Sequence, residues 1–148
     1  MTPLRAHAFR SLVLQVVQPD ILGMATFQSF ELRAEAHGAG AEVWRASGIS
    51  GGELADVRPE PMYVGRLGSR LVVELLSDLE RSGLYETALA EPCDDPTMAR
   101  VTLRLGGPEG SHAILSDAPA EEELVASVVR AIHTAVGIAQ ERSLAAAG

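Results

Sequence analysis

The 148-residue sequence predicts an α+β domain: a mostly antiparallel sheet of about four to six strands with two main helices packed on one face. Three observations lead there. Two segments, FELRAEA and ARVTLRL, alternate apolar and polar residues with period two, as half-buried strands do. Each is followed by a glycine-rich turn and a second short apolar segment, which makes a hairpin. Two further stretches, SRLVVELLSDLERSG and APAEEELVASVVRAIHTAVGIAQ, repeat their apolar residues at helical spacing. The resulting order is ββα-ββα.

In the first hairpin, Phe30, Leu32 and Ala34 share one face, and Glu31, Arg33 and Glu35 the other. HGAG, from His37 to Gly40, supplies the turn, and AEVWRAS returns with Val43 and Trp44 on opposite faces. Ser47 to Gly65 is irregular, because Gly48, Gly51, Gly52, Pro59 and Pro61 exclude long regular structure; a short third strand fits around Met62 to Val64. A segment of that length in a compact domain is often functional or mobile, and the sequence leaves both readings open. In the first helix, Leu71, Val72, Leu75, Leu76 and Leu79 form the stripe, with Ser69 placed to cap the start. Gly83 and Leu84 suit a left-handed stop.

In the second hairpin, Val101, Leu103 and Leu105 face inward and SHAILSD is the return strand. Pro119 suits the first turn of the last helix, and Glu121, Glu122 and Glu123 complement the positive end of its dipole. Leu124, Val128, Ile132, Ala135 and Ile138 are its expected buried face. FELR and VTLR echo one another, which raises the question of an internal duplication. Residues 1–25 read as an N-terminal extension or a first strand; the β-branched run at Leu12–Val17 favours a strand, with a short helix as the alternative. Residues 26–145 read as the single domain.

Composition limits function. The chain carries a net charge of −8 and scattered arginines, whereas nucleic-acid binding needs a basic face. Lysine and asparagine are absent, a bias expected of a GC-rich bacterial genome. No run approaches the roughly 18 apolar residues of a membrane span. One cysteine forms no internal disulfide, which fits a reducing cytoplasm. The expectation is a cytoplasmic protein that binds neither nucleic acid nor membrane.

EPCDDPTM, Glu91 to Met98, is the most chemical-looking stretch, yet it reads as a linker. Cys93 sits beside Glu91, Asp94 and Asp95, which raise a thiol's pKa rather than activate it. The two aspartates lack the alternating spacing, glycine bend and distant glutamate of a calcium loop. His7, His37, His112 and His133 show no metal-binding spacing, and SGISGG is not a phosphate loop. No catalytic residue, metal or cofactor is assigned.

Phe30 to Val136 resembles a plan found in small bacterial proteins. A hairpin leads to a helix ending SGLYE, here Ser82 to Glu86; a second hairpin with a Gly-rich turn follows, then Ser116, Asp117 and Pro119 before a closing helix. The plan is similar to uncharacterised bacterial domains and to the emfourin-type inhibitors of thermolysin-like metallopeptidases, which share the aromatic residue just past the first helix. The long segment after Ser47 and the N-terminal segment depart from it, and no inhibitory residue is carried over. The resemblance implies a protein-binding role.

The expected function is therefore a non-enzymatic module that binds another protein, as a peptidase inhibitor or an accessory subunit of a larger assembly. Partner contact is expected from Arg33, Trp44, Arg45 and Arg104, read as lying on the open face of the sheet, and from Ile49, Met62 and Tyr63 in the irregular segment. The alternatives are a small secretion-type chaperone, for which a homodimer is a natural form, and an enzyme whose site assembles from dispersed residues such as Cys93, His112 and Asp117.

Overall fold

The computed structural model describes residues 3–19, 25–36, 39–50, 60–85 and 98–147. Their elements, in chain order, are β1 (Ser11–Pro19), β2 (Ala25–Ala34), β3 (Ala41–Ser50), β4 (Met62–Leu67), α1 (Ser69–Arg81), β5 (Arg100–Gly107), β6 (Gly110–Pro119) and α2 (Glu123–Ala147). The fold is α+β, with one six-stranded antiparallel sheet in the order β4-β3-β2-β1-β5-β6.

The ββα-ββα order is corrected to ββββα-ββα. The β-branched run before Pro19 is β1, and β4 runs from Met62 through Leu67, further than the sequence suggested. The segment read as irregular from Ser47 begins inside β3, which extends to Ser50 because Ala46 to Ser50 still pair with β2. Residues 51–59, and Glu91 to Thr97 with Cys93, Asp94 and Asp95, lie outside the described residues.

β1 lies between β2 and β5. Leu12 is opposite Leu32 on one side and Leu105 on the other; Leu14 is opposite Phe30 and Leu103. All six are buried, so they form two apolar rows across the sheet. The FELR and VTLR strands flank β1, but Phe30 lies level with Leu103 rather than Val101. The echo is thus out of register, and four strands in the first half against two in the second argue against a duplication.

Both helices cover the face that carries these rows. α1 buries Val72, Leu75, Leu76 and Leu79, as its spacing predicts. Its N-cap is Gly68, with no side-chain cap; Ser69 is already helical, which corrects the capping assignment. Gly83 adopts the left-handed φ of +86° that only glycine takes cheaply, and Leu84 behind it is buried. Pro119 ends β6 rather than starting α2: its partner is Arg100, and the helix begins at Glu123. α2 buries Val125, Val128, Ile132, Ala135, Val136 and Ala139, while Leu124 and Ile138 are only half-buried. Val128, Ile132 and Ala135 are buried as expected, and Val125, Val136 and Ala139 complete the stripe in place of Leu124 and Ile138.

At Gly65 on β4 the backbone of α2 comes against the sheet. A Cβ there would fall 2.5 Å from the Ala139 carbonyl oxygen and 3.2 Å from Ser143 Cβ. No side chain fits without lifting α2 away. Gly137, inside α2, has nothing within 4 Å of a Cβ. Gly65→Ala should therefore lower the urea-unfolding free energy by about 1–3 kcal/mol. Gly137→Ala should raise it by about 0.5–1 kcal/mol, since a mid-helix glycine costs backbone entropy and nothing blocks the methyl.

Candidate functional site

With both helices on one side, no described element covers the other face of the sheet. One cross-strand row on this open face runs Tyr63 (β4), Trp44 (β3), Glu31 (β2), Val13 (β1) and Arg104 (β5). Arg33 follows Glu31 by one strand repeat and so shares the face. Its guanidinium carbon sits 4.7 Å from the Trp44 ring centroid, and its Nε donates to Glu31 Oε1 at 2.9 Å. The hydrogen bond to Glu31 lifts the Arg33 pKa above its usual value, so the guanidinium stays charged against the indole. On the other side, Tyr63 meets Trp44 edge to face, with centroids 5.4 Å apart. The indole Nε1, closed off from solvent, donates to no described residue.

This cluster holds the chain's one tryptophan in a single orientation on an uncovered face, between a cation and an exposed tyrosine. Phe27, Val13 and Val17 add half-buried apolar area on the same face. Arg104 shares the face but stands three strands from Trp44, about 14 Å at ordinary strand spacing. Arg45 does not share it. Neighbours on a strand point to opposite faces, and Arg45 lies opposite Phe30 on the helix side, beyond the reach of the helices and exposed. Ile49 and Met62 also have helix-side parity, where both are exposed. The seven expected contact residues thus divide into Arg33, Trp44, Tyr63 and Arg104 on the open face and Arg45, Ile49 and Met62 at the rim of the other.

No family model and no curated protein matches the chain.

The helix side has its own concavity. Its inner rows are apolar through Leu14 and Phe30, then turn polar: Val16 is opposite Gln28, Gln28 opposite Ser47, and Gln18 opposite Thr26. Where the sheet turns polar, a cleft of about 1040 Å³ opens beneath α2, with Ala126, Val129, Arg130, His133 and Thr134 as its helical wall. His133 packs edge to face on Phe30 at 5.2 Å and marks the boundary between cleft and core. A smaller pocket of about 490 Å³ lies at the other end of the sheet, lined by Leu4, Tyr85, Leu105, His112 and Ile114 among others. Burial pushes the Tyr85 phenol pKa up, with the Leu4 backbone opposing.

His112 and Asp117 are near opposite ends of β6, so those members of the dispersed-site reading are not brought together. Asp117 has a φ of +49°, and its N–H donates to Thr102 Oγ1 at 3.1 Å. Among the described residues no group of three or more His, Cys, Asp or Glu could hold a metal ion, and no helix is long and apolar enough to cross a membrane. Sequence reading missed Glu31, which orients Arg33, and the cleft residues Gln28, Ser47 and Arg130. The signal for the cleft was present: polar residues at inward positions of two adjacent strands interrupt the apolar alternation at one level.

Two measurements probe these contacts. A double-mutant cycle between Arg33→Ala and Trp44→Leu, read by urea unfolding, should give a coupling of about 0.5–1 kcal/mol. The second concerns Arg66 at the β4 edge, which holds Glu35 by two hydrogen bonds, at 2.7 and 3.1 Å, and keeps that carboxyl below its usual pKa. A lowered carboxylate pKa contributes stability above the unfolded-state value and loses it as pH falls through the folded-state value. Glu35→Gln should therefore flatten the stability profile below about pH 4.5 and leave its shape at neutral pH unchanged.

Proposed function

We propose that this protein is a binding module that recruits another polypeptide through the open face of its sheet, with Trp44 as the anchor. The supporting observation is the Arg33–Trp44–Tyr63 cluster on a face that no described element covers. Tryptophan, tyrosine and arginine are the residue types that carry most interface energy. Here their orientation is set before any partner arrives, so little side-chain entropy remains to be lost on binding. The acidic chain, at a net charge of −8, favours a partner with a basic or neutral contact surface.

Within this reading, inhibition of a thermolysin-like metallopeptidase and service as a subunit of a larger bacterial assembly are the two narrower roles. The first rests on the resemblance of Phe30 to Val136 to emfourin-type inhibitors. A secretion-type chaperone is the alternative, supported by small size, acidity and the α+β class. A cytoplasmic setting belongs to the same proposal and rests on the single cysteine.

Affinity purification of the tagged protein from its native cells, with quantitative mass spectrometry, tests the proposal. A stoichiometric protein partner should accompany the wild type and the Val73→Ser variant, whose change lies on the exposed side of α1. The partner should fall at least about tenfold with Trp44→Ala plus Tyr63→Ala, on the scale of a hot-spot loss. Absence of any partner, or a partner retained undiminished by the double variant, would overturn it. The partner's identity separates inhibitor, subunit and chaperone, and a thermolysin-like peptidase assay with the purified chain checks the first directly.

A further inference from the structure

The cleft beneath α2 opens on the helix side of the sheet, away from the Arg33–Trp44–Tyr63 cluster, and reaches Phe27 and Gly48 at its rim. We infer that it binds a small organic anion: a molecule with a carboxylate, sulfonate or similar head and an apolar body that carries hydrogen-bonding groups. Three features of the cleft define that chemistry.

The first is charge. Acidic residues outnumber Lys and Arg by 20 to 12 in this chain, yet none of the described residues lining the cleft is an Asp or a Glu. The cleft instead presents Arg130 and His133, one helical step apart on α2. Arg130 forms no ion pair among the described residues; on its other side it borders a shallow depression with Asp78, whose carboxylate is engaged by Arg81. Its guanidinium is available as a planar, permanently charged fork for an oxyanion.

The second is the lining. Val16, Val101, Ala126 and Val129 provide apolar wall, and Gln18, Thr26, Gln28, Ser47 and Thr134 provide amide and hydroxyl groups. Gln28 and Ser47 face each other across β2 and β3 on the helix side of the sheet, and both are exposed there. These polar side chains are exposed, so their amide and hydroxyl groups are accessible to a ligand lying along the apolar wall.

The third is size. About 1040 Å³ is at the upper end of small-molecule sites and open at one side, which suits a drug-sized or cofactor-sized molecule rather than a single inorganic ion.

The test uses two fluorescent probes that share a ring system and differ in charge: 1-anilinonaphthalene-8-sulfonate, an anion, and N-phenyl-1-naphthylamine, which is uncharged. The full chain is titrated with each, and circular dichroism confirms the fold of every variant. The anionic probe should bind saturably at one site per chain. Arg130→Gln should weaken it about tenfold and leave the uncharged probe within about twofold. Ser47→Trp, filling the cleft from the sheet side, and Val129→Trp, filling it from the helix side, should each abolish both; one folded variant of the two is sufficient. Trp44→Ala should change neither. The inference is overturned if the wild type shows no saturable binding of the anionic probe up to about 1 mM, a free energy too weak for a built site. It is equally overturned if binding survives a folded cleft-filling variant, or if Arg130→Gln affects both probes alike.

Discussion

β1 joins the sheet. β2, β3 and β4 form one antiparallel meander and β5 and β6 form one hairpin, and among the described residues the only strand pairing both groups is the nine-residue Ser11–Pro19. Its backbone bonds divide between β2 and β5, and its inward side chains, Leu12 and Leu14, are the middle members of both apolar rows. Fully burying a leucine is worth roughly 1.5–3 kcal/mol, so these two residues hold the halves together by packing as well as by hydrogen bonds. Without β1, each half would present a new strand edge and split the core beneath the helices.

The two surfaces follow from that arrangement. A continuous six-stranded sheet needs only one face covered, and the stripes of α1 and α2 suffice for one. The open face keeps Trp44, Arg33 and Tyr63, each placed by strand register and braced by the others. On the covered face, α2 is drawn close to the sheet at Gly65, where Ala139 meets bare backbone. Along β1–β3 the inward side chains turn from Leu14 and Phe30 to Gln28 and Ser47, and there the helix and the sheet leave the cleft between them. One sheet thus separates the surface proposed to meet a protein from the concavity proposed to hold a small anion.

Much of the fold was legible in the chain. Period-two alternation located the inward faces of β2 and β5, and helical spacing located the stripe of α1, because those elements are half-buried and display their periodicity. β1 was harder: LVLQVV is apolar at every position but Gln15, as befits a central strand, and such a run does not distinguish strand from helix. β4 and the end of β3 were obscured by glycines and prolines. Gly65 in particular reads as a breaker, although its role is to admit a helix backbone. At the candidate site, strict alternation was enough to separate Arg45 from Trp44, and the expectation that grouped them overlooked it. Alternation already put Glu31 and Arg33 on one face, but the diagonal approach of Arg33 to Trp44 depends on hairpin register, which the turn residues alone did not fix.

Native-state hydrogen exchange, resolved by residue, addresses the joining role of β1 most directly. If β1 unites the two groups of strands, the amides of Leu12 to Val16 exchange only through global unfolding, with the highest protection in the sheet, and the edge strands β4 and β6 open at lower free energy. Amides of β1 exchanging faster than those of β2 and β5, while both neighbours remain protected, would mean that the halves stand without it and would contradict this account.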